Sequence, residues 1–176
     1  YPQSPYASSK LNAELLLKKL SIEMGLKFVI LRFGTIFGKS IGMRFHTAVN
    51  KFCWQATLNQ PITVWKTAYN QNRPYLDIRD ASKLIFFIIQ KKLFQNCVYN
   101  AVTINASVRN IVEIIREVIS DVKVEYVNSK IMNQLSYHVL SNKIQGLDFK
   151  FEGDLKKGIE DTLKQLKGIR SMIPIR

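Results

Sequence analysis

The chain has only two cysteines and two histidines in 176 residues. Cys53 and Cys97 stand far apart with no x-x-Cys partner, and His46 and His138 are as isolated. That leaves no zinc-ligand spacing and no disulfide framework, and predicts reduced, buried thiols and a cytoplasmic setting. Long apolar runs are missing too: none reaches the roughly 18 residues of a membrane span. The densest, LIFFII at 84–89, is short and closed by Gln90, Lys91 and Lys92, so it reads as a buried helix and not a membrane segment. No signal-peptide pattern opens the chain.

Acidic residues are scarce, thirteen against twenty-six basic ones, for a formal charge of +13. Such an excess suits a phosphate-bearing or nucleic-acid partner. The Lys and Arg are nevertheless spread along the whole length with no run longer than two, and no nucleic-acid-binding motif accompanies them. Polynucleotide binding is therefore not the expectation. What the chain does have is 47% hydrophobic and 11% aromatic content, enough for a folded domain with one sizeable core.

The first helix is easy to place. Ser4 is a good N-cap, Pro5 fits the first turn, Leu11, Leu15, Leu16 and Leu20 recur at helical spacing, and Gly25 supplies a stop. Residues 27–33 (KFVILRF) form an apolar run of strand length, as in a fully buried parallel strand, and run into a glycine-bearing loop, GTIFGKSIG. Further along, the pattern predicts a helix over 45–58, a strand at 62–65, a strand at 75–78, and a helix with Asp80 near its N-terminus. A strand at 98–102, a helix at 107–120, a strand at 122–127, an extended piece at 137–140 and a helix at 155–166 complete it, ahead of a frayed tail from about 168. Helix, buried strand, then functional loop is the order of a doubly wound α/β sheet, whose ligands sit beyond the carboxyl ends of its strands.

Within the first helix, Tyr6 and Lys10 form a Tyr-x-x-x-Lys pair. Residues four apart stack on one helical face, so a phenol and an ammonium lie side by side. A neighbouring cation favours the phenolate, and such a tyrosine can serve as general base and acid. The pair is short and common by itself; it gains meaning from the segments downstream of it in the chain.

Five segments in order, SPYASSK at 4–10, LRFGTIFG at 31–38, QPITVW at 60–65, RPYLDIRDAS at 73–82 and the stretch from Ser136 to Leu166, resemble the C-terminal part of an extended short-chain dehydrogenase/reductase, a nucleotide-sugar epimerase or dehydratase. The resemblance covers nearly the whole chain. It implies the C-terminal portion of a Rossmann-type sheet over 1–42, a smaller α/β substrate-binding domain with interleaved Rossmann elements over 43–168, and a tail at 169–176. It implies NAD, or NADP, as cofactor and a nucleotide-sugar as substrate, with oxidation at a sugar carbon, C4 in most relatives, as the first step.

On the same resemblance Tyr6 takes the sugar hydroxyl proton, Lys10 holds the nicotinamide ribose, and Phe33 and Gly34 lie against the cofactor. Thr35 stands where relatives often carry Asn; its hydroxyl can bond the sugar or diphosphate but lacks the amide's paired donor and acceptor. Arg73 resembles the diphosphate-holding arginine, whose fixed fork of donors suits phosphate oxygens. Trp65 stacks on the base or fills the core, and Asn50 contacts the diphosphate or sits on a solvated helix face. Lys130 and Asn133 are candidates for the diphosphate or ribose, and Tyr137 reads as packing. The glycine-rich turn that cradles the cofactor pyrophosphate, the acidic residue that reads its ribose and the Ser/Thr partner of the catalytic tyrosine are all absent from the sequence. With Tyr instead of Met at its start and a helix almost at once, the chain is expected to be an inactive, cofactor-poor piece of a longer enzyme, whose first helix is suited to a homodimer. Epimerase, dehydratase and reductase outcomes stay open, as does the non-catalytic NAD(P)-binding alternative.

Overall fold

A computed structural model describes residues 2, 4–128 and 136–169. Helix α1 spans Pro5–Met24. Ser4 Oγ accepts the Ala7 N–H at 3.1 Å, and Gly25, left-handed at φ +69°, returns its N–H to the Ser21 carbonyl. Both ends are therefore capped as the sequence predicts.

Strand β1 (Val29–Phe33) runs parallel to β5 (Cys97–Ala101), with Phe33 opposite Ala101. At Gly34 the chain leaves β5 and continues as β2 (Thr35–Phe37), now parallel to β4 (Asn72–Asp77), with Thr35 opposite Tyr75. Gly34 is required at this crossing: a Cβ there would lie 3.0 Å from the Pro74 carbonyl atoms. On its other side β4 pairs antiparallel with β6 (Ile104–Ser107), and a separate parallel pair joins β3 (Ile62–Trp65) to β7 (Val124–Val127). The fold is mixed α/β with mostly parallel pairing.

Helix α2 (Ala48–Thr57), α3 (Ile78–Gln90), α4 (Val108–Val118), the short α5 (Asn142–Gln145) and α6 (Leu155–Leu166) pack on these strands. Two apolar clusters result, one on each side of β4, because successive side chains of a strand point to opposite faces. Tyr75 joins the cluster built with Phe37 and helices α2, α4 and α6, while Leu76 joins the one built with α3, Tyr99 and Phe149. Ser107 caps α4 through a capping box with Asn110, and α4 buries Ile111, Val112 and Ile115.

Buried carboxylates hold β4, α3 and the C-terminal segment together. Asp80 accepts from Thr103 Oγ1 (2.6 Å), Glu152 N (2.9 Å) and Gly153 N (3.0 Å). Asp77 caps α3 through the Arg79 N–H and accepts two guanidinium bonds from the same residue. Each carboxylate is thus satisfied by several donors, the condition under which a buried charge is tolerated.

Four details differ from the sequence reading. In β1 only Ile30 is fully buried, since Arg32 and Phe33 face outward. The LIFFII run is amphipathic in effect: Leu84 and Ile88 are buried, whereas Ile85, Phe86 and Ile89 stay exposed, as 3.6-residue geometry demands of a helix covering one side of a sheet. The loop at 34–42 contains β2, and a further strand, β6, stands at Ile104–Ser107; both are too short for a hydrophobic period to mark them. The helix expected over 45–58 begins only at Ala48. The tail beyond 169 lies outside the described residues.

The close packing of α6 on β2 is testable. A Cβ on Gly158 would fall 2.5 Å from Phe37 Cε2, and one on Gly153 would fall 2.7 Å from Asp80 Oδ2. Overpacking of this kind costs about 1–3 kcal/mol. In urea unfolding, Gly158→Ala should lower stability by that amount. Gly42→Ala, where nothing lies within 4 Å, should stay within about 0.5 kcal/mol of the parent.

Candidate active site

Helix α1 buries none of its residues, and Leu11, Leu15 and Leu16 on it are exposed, so specific polar contacts position it. Arg32 on β1 makes a bidentate ion pair with Glu14 (2.8 and 2.6 Å), and Asn96 donates to Ser21 Oγ at 2.7 Å. The two bonds from Arg32 hold the Glu14 carboxyl below its usual range, against a smaller opposing effect of burial. Near the start of this helix Tyr6 is 72% exposed, and Lys10 Nζ lies 5.6 Å from the centre of its ring. The Tyr-x-x-x-Lys pair is therefore in contact, as the helical spacing predicts.

The β1–β2 crossing places the other predicted residues. Tyr6, Phe33, Gly34, Thr35 and Asn50 all line one open cavity of about 630 Å³. Thr35, Trp65 and Arg73 line a neighbouring cavity of about 350 Å³. Thr35, His46 and Thr47 belong to both, so the two cavities meet there. Residues far apart in sequence are brought to one continuous depression at the carboxyl ends of β1, β2 and β3.

Arg73 is held on several sides. Its guanidinium donates to the Asn72 carbonyl and to Gln71 Oε1, both at 2.9 Å, and lies 5.1 Å from the centre of the Tyr137 ring. Tyr137, read as packing, is half-exposed and does its packing on this arginine. Its segment is tied down by Ser136 Oγ, which accepts the Asn72 N–H, and by the Asn105 amide, which bonds Val139 in both directions. Trp65 ends β3 at 39% exposure, with a free face toward the smaller cavity.

Asn50 is buried, not solvated. Its amide donates to the Arg44 carbonyl at 3.1 Å and so tethers the 38–47 loop to α2. Its Oδ1 and Thr47 Oγ1 are buried without a partner among the described residues. Lys10 lines neither cavity, and Lys130 and Asn133 lie outside the described residues.

Sequence reasoning missed His46, Thr47 and Lys51. They come after the glycine-bearing loop at the entrance to α2, and only the fold turns that entrance toward the cavities. Tyr75 also lines the smaller cavity, but burial pushes its phenol up to about 12, so near neutrality it stays protonated.

A model of the NAD dependent epimerase/dehydratase family matches residues 1–101. The chloroplastic UDP-sulfoquinovose synthase of Spinacia oleracea is 38% identical over 73 residues, 40% of this chain and 15% of that protein. Among solved structures, the UDP-glucose 4-epimerase of Thermus thermophilus in complex with NAD superposes with a TM-score of 0.83 at 21% identity, over 96% of this chain and 55% of its own. The UDP-glucuronic acid 4-epimerase of Bacillus cereus, in complex with UDP-glucuronic acid and NAD, gives 0.82 at 23% identity, over 94% and 54%. At these identities the likeness establishes the fold, a Rossmann-like one. The chain spans about half the length of these solved structures.

The Arg32–Glu14 tether makes the position of α1 depend on pH. Because the folded-state carboxyl of Glu14 titrates below its unfolded value, its stabilisation is complete above that value, about 4.5, and disappears as pH falls through the lower folded one. Hydrogen exchange of the α1 amides, corrected for intrinsic rates, should show protection falling between about pH 5 and 3. In Arg32→Gln, protection should already be low at neutral pH and vary little across that interval.

Proposed function

The chain belongs to the NAD dependent epimerase/dehydratase family, and from that membership we propose that it supplies the catalytic pair and the substrate-binding half of an NAD(P)-dependent nucleotide-sugar epimerase or dehydratase. The observation that carries the proposal is the meeting of Tyr6, Thr35, Trp65 and Arg73 on two adjoining cavities. An arginine fork at one end suits a diphosphate, and an exposed aromatic beside it suits a base. The exposed phenol at the other end suits a sugar hydroxyl.

The residues fit one end of the cofactor. Tyr6, Phe33 and Gly34 share a cavity able to receive a nicotinamide riboside, while no glycine-rich turn for a pyrophosphate occurs in the sequence. Bound NAD(P)⁺ supplies a hydride acceptor. Tyr6 Oη takes the proton from the hydroxyl of the carbon being oxidised, C4 in our proposal, as that carbon gives up its hydride and becomes a carbonyl. When the hydride returns, Tyr6 gives the proton back. Lys10, whose ammonium lies 5.6 Å from the centre of the Tyr6 ring, supplies a cation for the ribose hydroxyls. Arg73, fixed by Gln71, Asn72 and Tyr137, holds the diphosphate so that the sugar reaches Tyr6, and Thr35 at the junction bonds the sugar or the diphosphate.

We propose further that the chain by itself is inactive and binds NAD(P) poorly, because the pyrophosphate cradle must come from a cofactor-binding half. In the complete protein the exposed leucines of α1 are what we propose a homodimer buries.

The complete protein carrying this chain should therefore turn over at least one member of a panel of UDP-, dTDP-, GDP- and CDP-sugars in the presence of NAD⁺. Mass spectrometry and NMR distinguish an isomer of unchanged mass from a product lighter by one water. Tyr6→Phe should lower kcat by about 10²–10⁴-fold. Arg73→Lys should raise KM by roughly tenfold with a smaller change in kcat, since a lysine cannot reproduce the bidentate fork. Turnover that survives Tyr6→Phe would refute the proton-transfer role.

A further inference from the structure

Arginine has several rotatable bonds, and one left loose at a cavity wall gives up that freedom when an anion binds it, which weakens the binding. Arg73, on the wall of the smaller cavity, is held in advance. Its guanidinium donates to the Asn72 carbonyl and to Gln71 Oε1, both at 2.9 Å. The donors of a guanidinium point within its plane, so a ring can stack on its face without competing for them. Tyr137 does so: Arg73 Cζ stands over its ring, 5.1 Å from the centre. The Asn72 carbonyl also accepts the Tyr137 N–H, at 3.4 Å, so one peptide group anchors both the ring and the guanidinium.

Tyr137 is brought there by a segment bonded along its length to other elements. Ser136 Oγ accepts the Asn72 N–H, and Asn105 bonds Val139 in both directions. The Leu140 carbonyl accepts from the Asn100 amide at 3.2 Å, and Ser141 Oγ accepts the Val102 N–H at 3.0 Å. The ring itself is half-exposed, belongs to neither apolar cluster and lines neither cavity. A ring so placed contributes little to core burial and acts on a ligand only through the side chain it covers. From this we infer that Tyr137 is a positioning residue: its ring keeps the Arg73 guanidinium turned toward the diphosphate, and its hydroxyl has no part in this. The inference rests on the function proposed above and adds to it a residue that meets neither substrate nor cofactor.

The test measures UDP affinity by calorimetry, together with KM and kcat for the best nucleotide-sugar, in the complete protein carrying this chain. If another nucleoside diphosphate binds best, it replaces UDP. Tyr137→Leu should raise Kd and KM by about three- to tenfold and leave kcat within about twofold of the parent. Tyr137→Phe keeps the ring and should match the parent within about twofold. A double-mutant cycle separates positioning from a structural role, since residues that act through one another are not additive. In Arg73→Gln, which by itself should weaken UDP, adding Tyr137→Leu should change Kd by less than about twofold. Urea unfolding confirms that the variants fold, and Tyr137→Met is read in the same way if Tyr137→Leu does not. An unchanged Kd in Tyr137→Leu overturns the inference. So does an equal loss in the parent and Arg73→Gln backgrounds, or a loss in Tyr137→Phe as large as in Tyr137→Leu. An Arg73→Gln variant that binds UDP as the parent does, or a parent that binds no nucleoside diphosphate, overturns the proposed function instead.

Discussion

The buried carboxylate of Asp80 is the constraint on which the rest of the arrangement depends. It is 1% exposed and accepts from Thr103, Glu152 and Gly153, so one side chain joins the start of α3, the β5–β6 turn and the segment leading into α6. Asp77, the last residue of β4 before α3, closes the same corner with Arg79. Stripping either carboxylate of its donors would leave a charge buried without compensation, a much larger penalty than losing a surface ion pair. Gly153 and Gly158 lack side chains because these groups and the Phe37 ring occupy the space. Once α6 is seated there, it packs on α2 and α4, and α2 forms a wall common to both cavities. The geometry of the site thus depends on a polar corner, Asp77 and Asp80, that lines neither cavity.

Two kinds of support meet at the site and differ in firmness. Arg73 and Thr35 stand on paired strands of the interior, where their backbone is fixed by β2, β4 and β6. Tyr6 stands on a helix that buries nothing and is held by an ion pair and an amide. Such a helix is readily repositioned, and a partner that covers its leucines would fix Tyr6 against the larger cavity more tightly than this chain does.

Much of this was legible in the sequence where local physics decides. The capped ends of α1, the strand at Ile62–Trp65 and the helix at Leu155–Leu166 arise from caps, periodicity and breakers, and the structure reproduces them. The contact between Tyr6 and Lys10 needs helical spacing alone. Illegible were features that tertiary context decides. Whether Ile85 and Phe86 are covered depends on which side of α3 meets the sheet, and an all-apolar run carries no mark of that. Asn50 reads as a diphosphate contact or a solvated helix position until the loop whose carbonyl it binds is folded over it. His46 gave no signal as a ligand because its neighbours in the site, Thr35 and Tyr6, come from other elements.

The central claim is that the two cavities form one path for one substrate, with the diphosphate beside Arg73 and the sugar beside Tyr6. The measurement that tests it most directly is a crystal structure of the complete protein carrying this chain, with NAD⁺ and a nucleotide-sugar, in the Tyr6→Phe variant to prevent turnover. The account predicts phosphate oxygens within hydrogen-bond distance of the Arg73 guanidinium, about 3 Å. It also predicts the base against Trp65, and the sugar across the junction at Thr35 and His46 with one hydroxyl facing residue 6. A sugar lying beside Trp65 with the diphosphate away from Arg73, or a ligand bound outside both cavities, would contradict it.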